Sequence, residues 1–90
     1  MITSPIELAG IALFAENPEE IRLAIRECLP TSDEYLFSEC AHAIGHLARR
    51  FGAVDEDLLK QFYLEVFRFA GSEHVRRAIV DMKDDISHFG

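Results

Sequence analysis

From about residue 5 onward the chain reads as a series of helices, because its apolar residues recur at spacings of three and four and never alternate in the two-residue rhythm of a half-buried strand. Ile21, Ala24, Ile25, Cys28 and Leu29 mark one stripe, and Leu36, Phe37, Cys40, Ala41, Ile44, Leu47, Ala48 and Phe51 a longer one. Leu58, Leu59, Phe62, Tyr63, Val66, Phe67 and Phe69 form a third, and Val75, Ala78, Ile79, Met82, Ile86 and Phe89 a fourth. Start signals precede each stripe. Ser4-Pro5-Ile6-Glu7 sets a capping serine, a proline at the first helical position and a glutamate three after the cap, so a first helix is predicted over about 5–15. Asn17-Pro18-Glu19-Glu20 repeats the device, Pro30 stops the second helix, and Thr31-Ser32-Asp33-Glu34 opens the third. Gly52 offers the left-handed closing position; Asp55 then caps a fourth helix ending at Gly71, and Ser72 a fifth. The expected fold is all-α, with five helices and short loops.

A shift of about 38 residues superimposes helices 2 and 3 on helices 4 and 5. Ile21 falls on Leu59, Ile25 on Tyr63, Cys28 on Val66 and Leu29 on Phe67; Phe37 falls on Val75, Cys40 on Ala78, Ala41 on Ile79, Ile44 on Met82, Ala48 on Ile86 and Phe51 on Phe89. This period lies close to that of two-helix HEAT units. The predicted organisation is therefore one domain over residues 1–90, with a capping helix in 1–16 and two stacked hairpins, 18–52 and 55–90. Such a pair cannot bury its apolar face alone, which gives helix 1 its purpose as a cover for the first unit. Phe14, Phe37, Phe51, Phe62, Phe67 and Phe89 fit core positions, whereas Tyr35, Leu36 and Phe69 fall at stripe edges or helix ends.

Composition narrows the class of partner. Ninety residues with 49% apolar content suffice for one real core, and 16 acids against nine bases give a net charge of −7. That balance disfavours direct nucleic-acid contact, which needs a basic face, and favours a basic protein partner. The two cysteines, Cys28 and Cys40, sit on apolar stripes and are expected to be reduced core residues. No apolar run approaches the roughly 20 residues of a membrane span, and no basic region leads an apolar one at the N-terminus, so a cytoplasmic protein is expected.

At Ala43-Ile44-Gly45-His46-Leu47-Ala48-Arg49-Arg50-Phe51-Gly52, then Val54-Asp55 and later Asp84-Asp85-Ile86-Ser87-His88-Phe89, the chain resembles small HEAT-like immunity proteins of contact-dependent and other polymorphic bacterial toxin systems. The resemblance covers roughly residues 18–90. It implies a protein that binds one cognate toxin domain, often a nuclease, and blocks it stoichiometrically in the cytoplasm. The free inhibitor is expected to be a monomer. An acidic inhibitor suits a basic nuclease cleft and is steered to it electrostatically.

The chemistry-bearing residues point the same way. His42 and His46 lie four apart, but the pattern lacks the glutamate of a His-Glu-x-x-His site and Cys40 points about 160° away, so no metal is predicted. Glu39, His42, His46 and Arg49 instead form a polar stripe opposite the apolar one. Asp81, Asp84 and Asp85 concentrate acid on helix 5, where the last two oppose the helix dipole unless Arg77, Lys83 or a neighbouring helix relieves them. There is no glycine-rich phosphate loop or nucleophile elbow, and Ser4, Ser32, Ser38, Ser72 and Ser87 fall at caps or on predicted surfaces, so neither catalysis nor a cofactor is expected. In stacked units the second helices share one face. The predicted toxin-binding residues are accordingly Glu39, His42, His46, Arg49, Asp81, Asp84, Asp85 and His88. A HEAT-like scaffold or adaptor is the alternative; a fragment of a phycobilin-lyase-type enzyme would require a longer chain.

Overall fold

Each α-helix among the described residues begins where a side chain can accept from its unpaired first-turn amides. Ser4 accepts from the Glu7 amide, Asn17 from Glu19, Asp33 from Tyr35, Asp55 from Leu58 and Ser72 from Val75. The computed structural model describes residues 1–52 and 54–90. Among these are five α-helices, α1 (Pro5–Phe14), α2 (Pro18–Cys28), α3 (Glu34–Phe51), α4 (Glu56–Val66) and α5 (Glu73–Phe89), and no strand. The fold is all-α, as the periodicity requires. Helix 4 does not run on to Gly71: it ends at Val66, and Phe67–Phe69 tighten into a 3-10 turn. Gly52 closes α3 with φ of 63°, a left-handed conformation in which any side chain would strain the backbone.

The 38-residue shift reappears in three dimensions. It carries α2 onto α4 at both ends, Pro18 to Glu56 and Cys28 to Val66. It is also close to the register in which α3 and α5 pack: Tyr35 meets His74 at 4.6 Å between ring centroids, His42 meets Asp81, Arg49 meets Asp85, and Gly52 approaches the Phe89 carbonyl. These contacts ascend together, so the two helices run parallel. Small residues let them come close. A Cβ on Gly45 would stand 2.5 Å from Oδ2 of Asp85, so glycine here makes room for a carboxylate at the helix seam. On its other flanks α3 carries α1 and α2. The second pair departs from the first, since the backbones of α4 and α5 lie further apart and α4 reaches the core through Phe62.

One cluster of buried side chains runs from Leu8 and Ala12 of α1 through Phe37, Ile44 and Leu47 of α3 to Phe62 and Met82. Phe37 is its centre, stacked between Phe62 and Phe69 at 4.8 and 4.4 Å. Burial corrects several expectations. Phe14 and Phe67 are not core residues: 80% and 74% of their surface is exposed, and Phe89 is half exposed. Leu36 and Phe69, expected at edges, are buried, whereas Tyr35 is exposed. Ser38 is buried rather than superficial, its hydroxyl donating to the Glu34 carbonyl one turn back at 2.7 Å. Cys28 and Cys40 are buried and free, and their mutual hydrogen bond with burial pushes the Cys40 thiol far above its ordinary range.

Two arginines close helix ends. Arg68 donates to the carbonyls of Leu29 and Thr31 at 2.8 and 2.7 Å, holding the end of α2 while lying over the rings of Phe37 and Phe69. Arg50 donates to the Ala12 and Ala15 carbonyls at 2.8 and 2.6 Å, fastening α1 to α3. Each places positive charge where helix carbonyls lack partners. Arg22 and Arg26 reach the capping carboxylate of Asp55 and so join α2 to α4.

Candidate functional site

The parallel packing of α3 and α5 opens a solvent-facing polar cleft of about 320 Å³, lined by Glu39, His42, His46 and Arg49 from α3 and by Asp81, Asp84 and Asp85 from α5. All seven belong to the face predicted from the sequence. His88 does not line it; it sits one turn beyond Asp84, with Nδ1 at 2.9 Å from the Asp84 carbonyl and 3.4 Å from its carboxylate. The residues converge because α3 presents its side opposite the core at i, i+3, i+7 and i+10, and α5 lays its acids alongside in matching register.

Two of the contacts bridge the helices. His42 places Nδ1 at 3.5 Å from Glu39 and Nε2 at 3.6 Å from Asp81, so the imidazolium form satisfies both carboxylates. Its pKa is raised, chiefly by the bond to Glu39 and further by Asp81, against an opposing effect of burial. Arg49 lies at 3.4 Å from Asp85 through Nε and turns Nη2 onto Nδ1 of His46. Half-burial and the neighbouring guanidinium lower the pKa of His46, which stays neutral and accepts from Arg49. Asp85 is thus relieved by the neighbouring helix, not by its own. Arg77 does not relieve the acids of α5 near its end: it turns back to Glu73 at 3.8 Å.

The side chains of Asp81 and Asp84 remain 69% and 72% exposed. With four carboxylates against one guanidinium, the cleft presents an acidic mouth over a floor already neutralised by Arg49. Such a surface accepts a guanidinium or ammonium group from a partner. Among the described residues no group of three His, Cys, Asp or Glu side chains is placed to hold a metal ion. No helix among them is long and apolar enough to cross a membrane.

No family model, curated protein or solved structure matches the chain. What the site does must therefore be argued from its own chemistry. One participant was missed in the sequence, namely Gly45, whose missing side chain admits Asp85 to the floor. Its signal was legible: a glycine in mid-helix costs about 1 kcal/mol against alanine and so needs a packing reason.

The two histidines titrate in opposite directions. His42, raised, contributes stability that is complete below about pH 6.5 and is lost as pH rises through its folded-state value. His46, lowered, contributes stability present above about pH 6.5 and lost as pH falls through its folded-state value. Imidazole resonances followed by NMR should show His42 titrating above His46. The stability gap between the wild type and His42→Gln should narrow from about pH 5.5 to about pH 8, and that for His46→Gln should widen. A His42 midpoint at or below that of His46 would contradict the assignment of partners.

Proposed function

We propose that this protein neutralises a cognate bacterial toxin domain by binding it stoichiometrically in the cytoplasm, as the small HEAT-like immunity proteins it resembles are understood to do, with no catalysis of its own. The observation that carries the reading is the acidic cleft between α3 and α5, where two exposed carboxylates stand above a pre-neutralised floor. A nuclease domain presents lysines and arginines where it holds phosphate, and this mouth is their complement. Asp81 and Asp84 are assigned the charge pairing, while His42, His46 and Arg49 orient the partner through hydrogen bonds. Glu39 supports His42, and Asp85 holds Arg49. His88 joins the site only through Asp84, at its rim.

The tandem relation of α2–α3 to α4–α5 also favours a second reading, a HEAT-like adaptor, because stacked helix pairs serve as docking scaffolds. One experiment separates the two. The gene is expressed with its immediate upstream neighbour, and copurification and growth are scored. An immunity protein copurifies at a fixed stoichiometry and rescues cells that the neighbour alone kills. A harmless neighbour that does not copurify would remove the toxin reading and leave the adaptor.

A further inference from the structure

His42 stands between two carboxylates, one from each helix of the cleft: Nδ1 lies 3.5 Å from Glu39 and Nε2 3.6 Å from Asp81. An imidazolium donates through both nitrogens, whereas a neutral imidazole donates through one and presents a lone pair at the other. Both carboxylates are therefore served only while His42 holds its second proton. We propose, on the reading of the acidic cleft as the partner's seat, that this proton is the resident cation of the cleft, and that a guanidinium or ammonium group of the partner binds by displacing it and taking its place on Asp81.

Exposure decides which carboxylate is given up. The side chain of Glu39 is 20% exposed and that of Asp81 69%. A sheltered carboxylate gains more from a donor than one in water. A deprotonated His42 therefore keeps its remaining N–H on Glu39, the bond that contributes most to holding its pKa up. Asp81 is then left facing a lone pair, and a charged donor from the partner fits where the proton was. While His42 is charged, the same incoming group meets a like charge.

The neighbouring charges leave this exchange intact. On α3, Glu39, His46 and Arg49 line the cleft with His42; across the seam α5 adds Asp84 and Asp85 to Asp81. Arg49 is committed to Asp85 at 3.4 Å, and burial and Arg49 together keep His46 neutral, so neither supplies a competing proton. His88 is drawn to Asp84 at the rim, 3.4 Å away. Helices α1, α2 and α4 contribute no residue to the lining. Linkage then sets sign and size. Two positive charges roughly 6 Å apart at a solvated surface disfavour one another by a factor of about five. The cleft's affinity for a cation should rise about fivefold as His42 loses its proton, and the bound cation should lower the midpoint of His42 by about 0.7 pH.

A hexa-arginine peptide at constant ionic strength serves as the probe. Its Kd is measured by calorimetry at about pH 5.5 and about pH 8, and the His42 imidazole is titrated by NMR with and without it. Binding should tighten about fivefold at the higher pH, and the His42 midpoint should fall when the peptide is present. His42→Gln, which keeps a polar side chain that does not titrate, should retain its helical circular dichroism and lose most of that tightening. His74→Gln, exposed and outside the cleft lining, should keep it. No binding of the peptide, equal affinity at the two pH values, a His42 midpoint that the peptide leaves in place, or full pH dependence in His42→Gln would each overturn the exchange. Rescue of growth on coexpression with the neighbouring gene decides the toxin reading separately, because it is scored at one pH and does not depend on where the proton goes.

Discussion

Phe37→Ala is expected to lower the stability of the domain by about 4 kcal/mol, the usual loss when a fully buried aromatic is truncated and its cavity cannot collapse. Three features place this residue at the top of that range. Its ring has no exposed surface, it is stacked between Phe62 and Phe69, and the guanidinium that closes α2 lies over it. Domains of this size have about 5–10 kcal/mol in total, so urea unfolding should shift far to the left or be complete before denaturant is added. Phe67→Ala, on an apolar stripe that looks similar in the sequence, should cost within about 0.5 kcal/mol because its ring is in water. Equal losses for the two variants would mean that the core is not arranged around Phe37.

Reversing Asp81 and Asp84 together to lysine should weaken binding of the proposed toxin about 100-fold or more, while helix content and the urea midpoint stay near wild type. The fold makes little use of either carboxylate: among the described residues Asp81 pairs with the imidazole of His42 and Asp84 with that of His88 on its own helix. Both are exposed and stand at the mouth of the cleft, where a basic partner would meet them first. Loss of steering should appear as a slower association rate and a flatter dependence on salt. Stopped-flow association at two ionic strengths reads both quantities. An affinity and rate unchanged by the double reversal would move the interface off this cleft. Asp85 is a poor choice for the same test, because removing it strands Arg49 on the cleft floor.

The stop and start signals were legible because they act locally. Ser4, Asn17, Asp33, Asp55 and Ser72 cap helices by reaching amides two or three residues away, and nothing distant needs to be known. The 38-residue shift was legible too, and α3 and α5 pack close to that register, His42 against Asp81 and Arg49 against Asp85. Burial did not repeat with it. Ile25 is buried but its counterpart Tyr63 is exposed, and Leu29 is buried while Phe67 is not. Ile25 and Leu29 belong to the common core, and Tyr63 and Phe67 do not. Periodicity says which side chains share a face and is silent on whether anything covers that face. Phe14 was misplaced for the same reason on α1.

The polar cleft shows the division most clearly. That Glu39, His42, His46 and Arg49 share one side of a helix follows from their spacing, and so does the clustering of acid on α5. Which carboxylates stay open could not follow from spacing. Arg49 takes Asp85 and Arg77 turns to Glu73, leaving Asp81 and Asp84 exposed and paired with histidines, and these choices depend on the depth at which two helices seat.

By itself, the sequence determined the all-α class, the five helix starts, the near-38-residue register and the polar face of α3 and α5, all consequences of helical period and local hydrogen bonding. Only the tertiary structure decided that Phe37 and not Phe14 holds the core, that arginines close two helix ends, and that one histidine is raised and the other lowered. These depend on distances between segments far apart in the chain, where burial and Coulomb interactions change within a few ångströms and a one-dimensional pattern carries no distance.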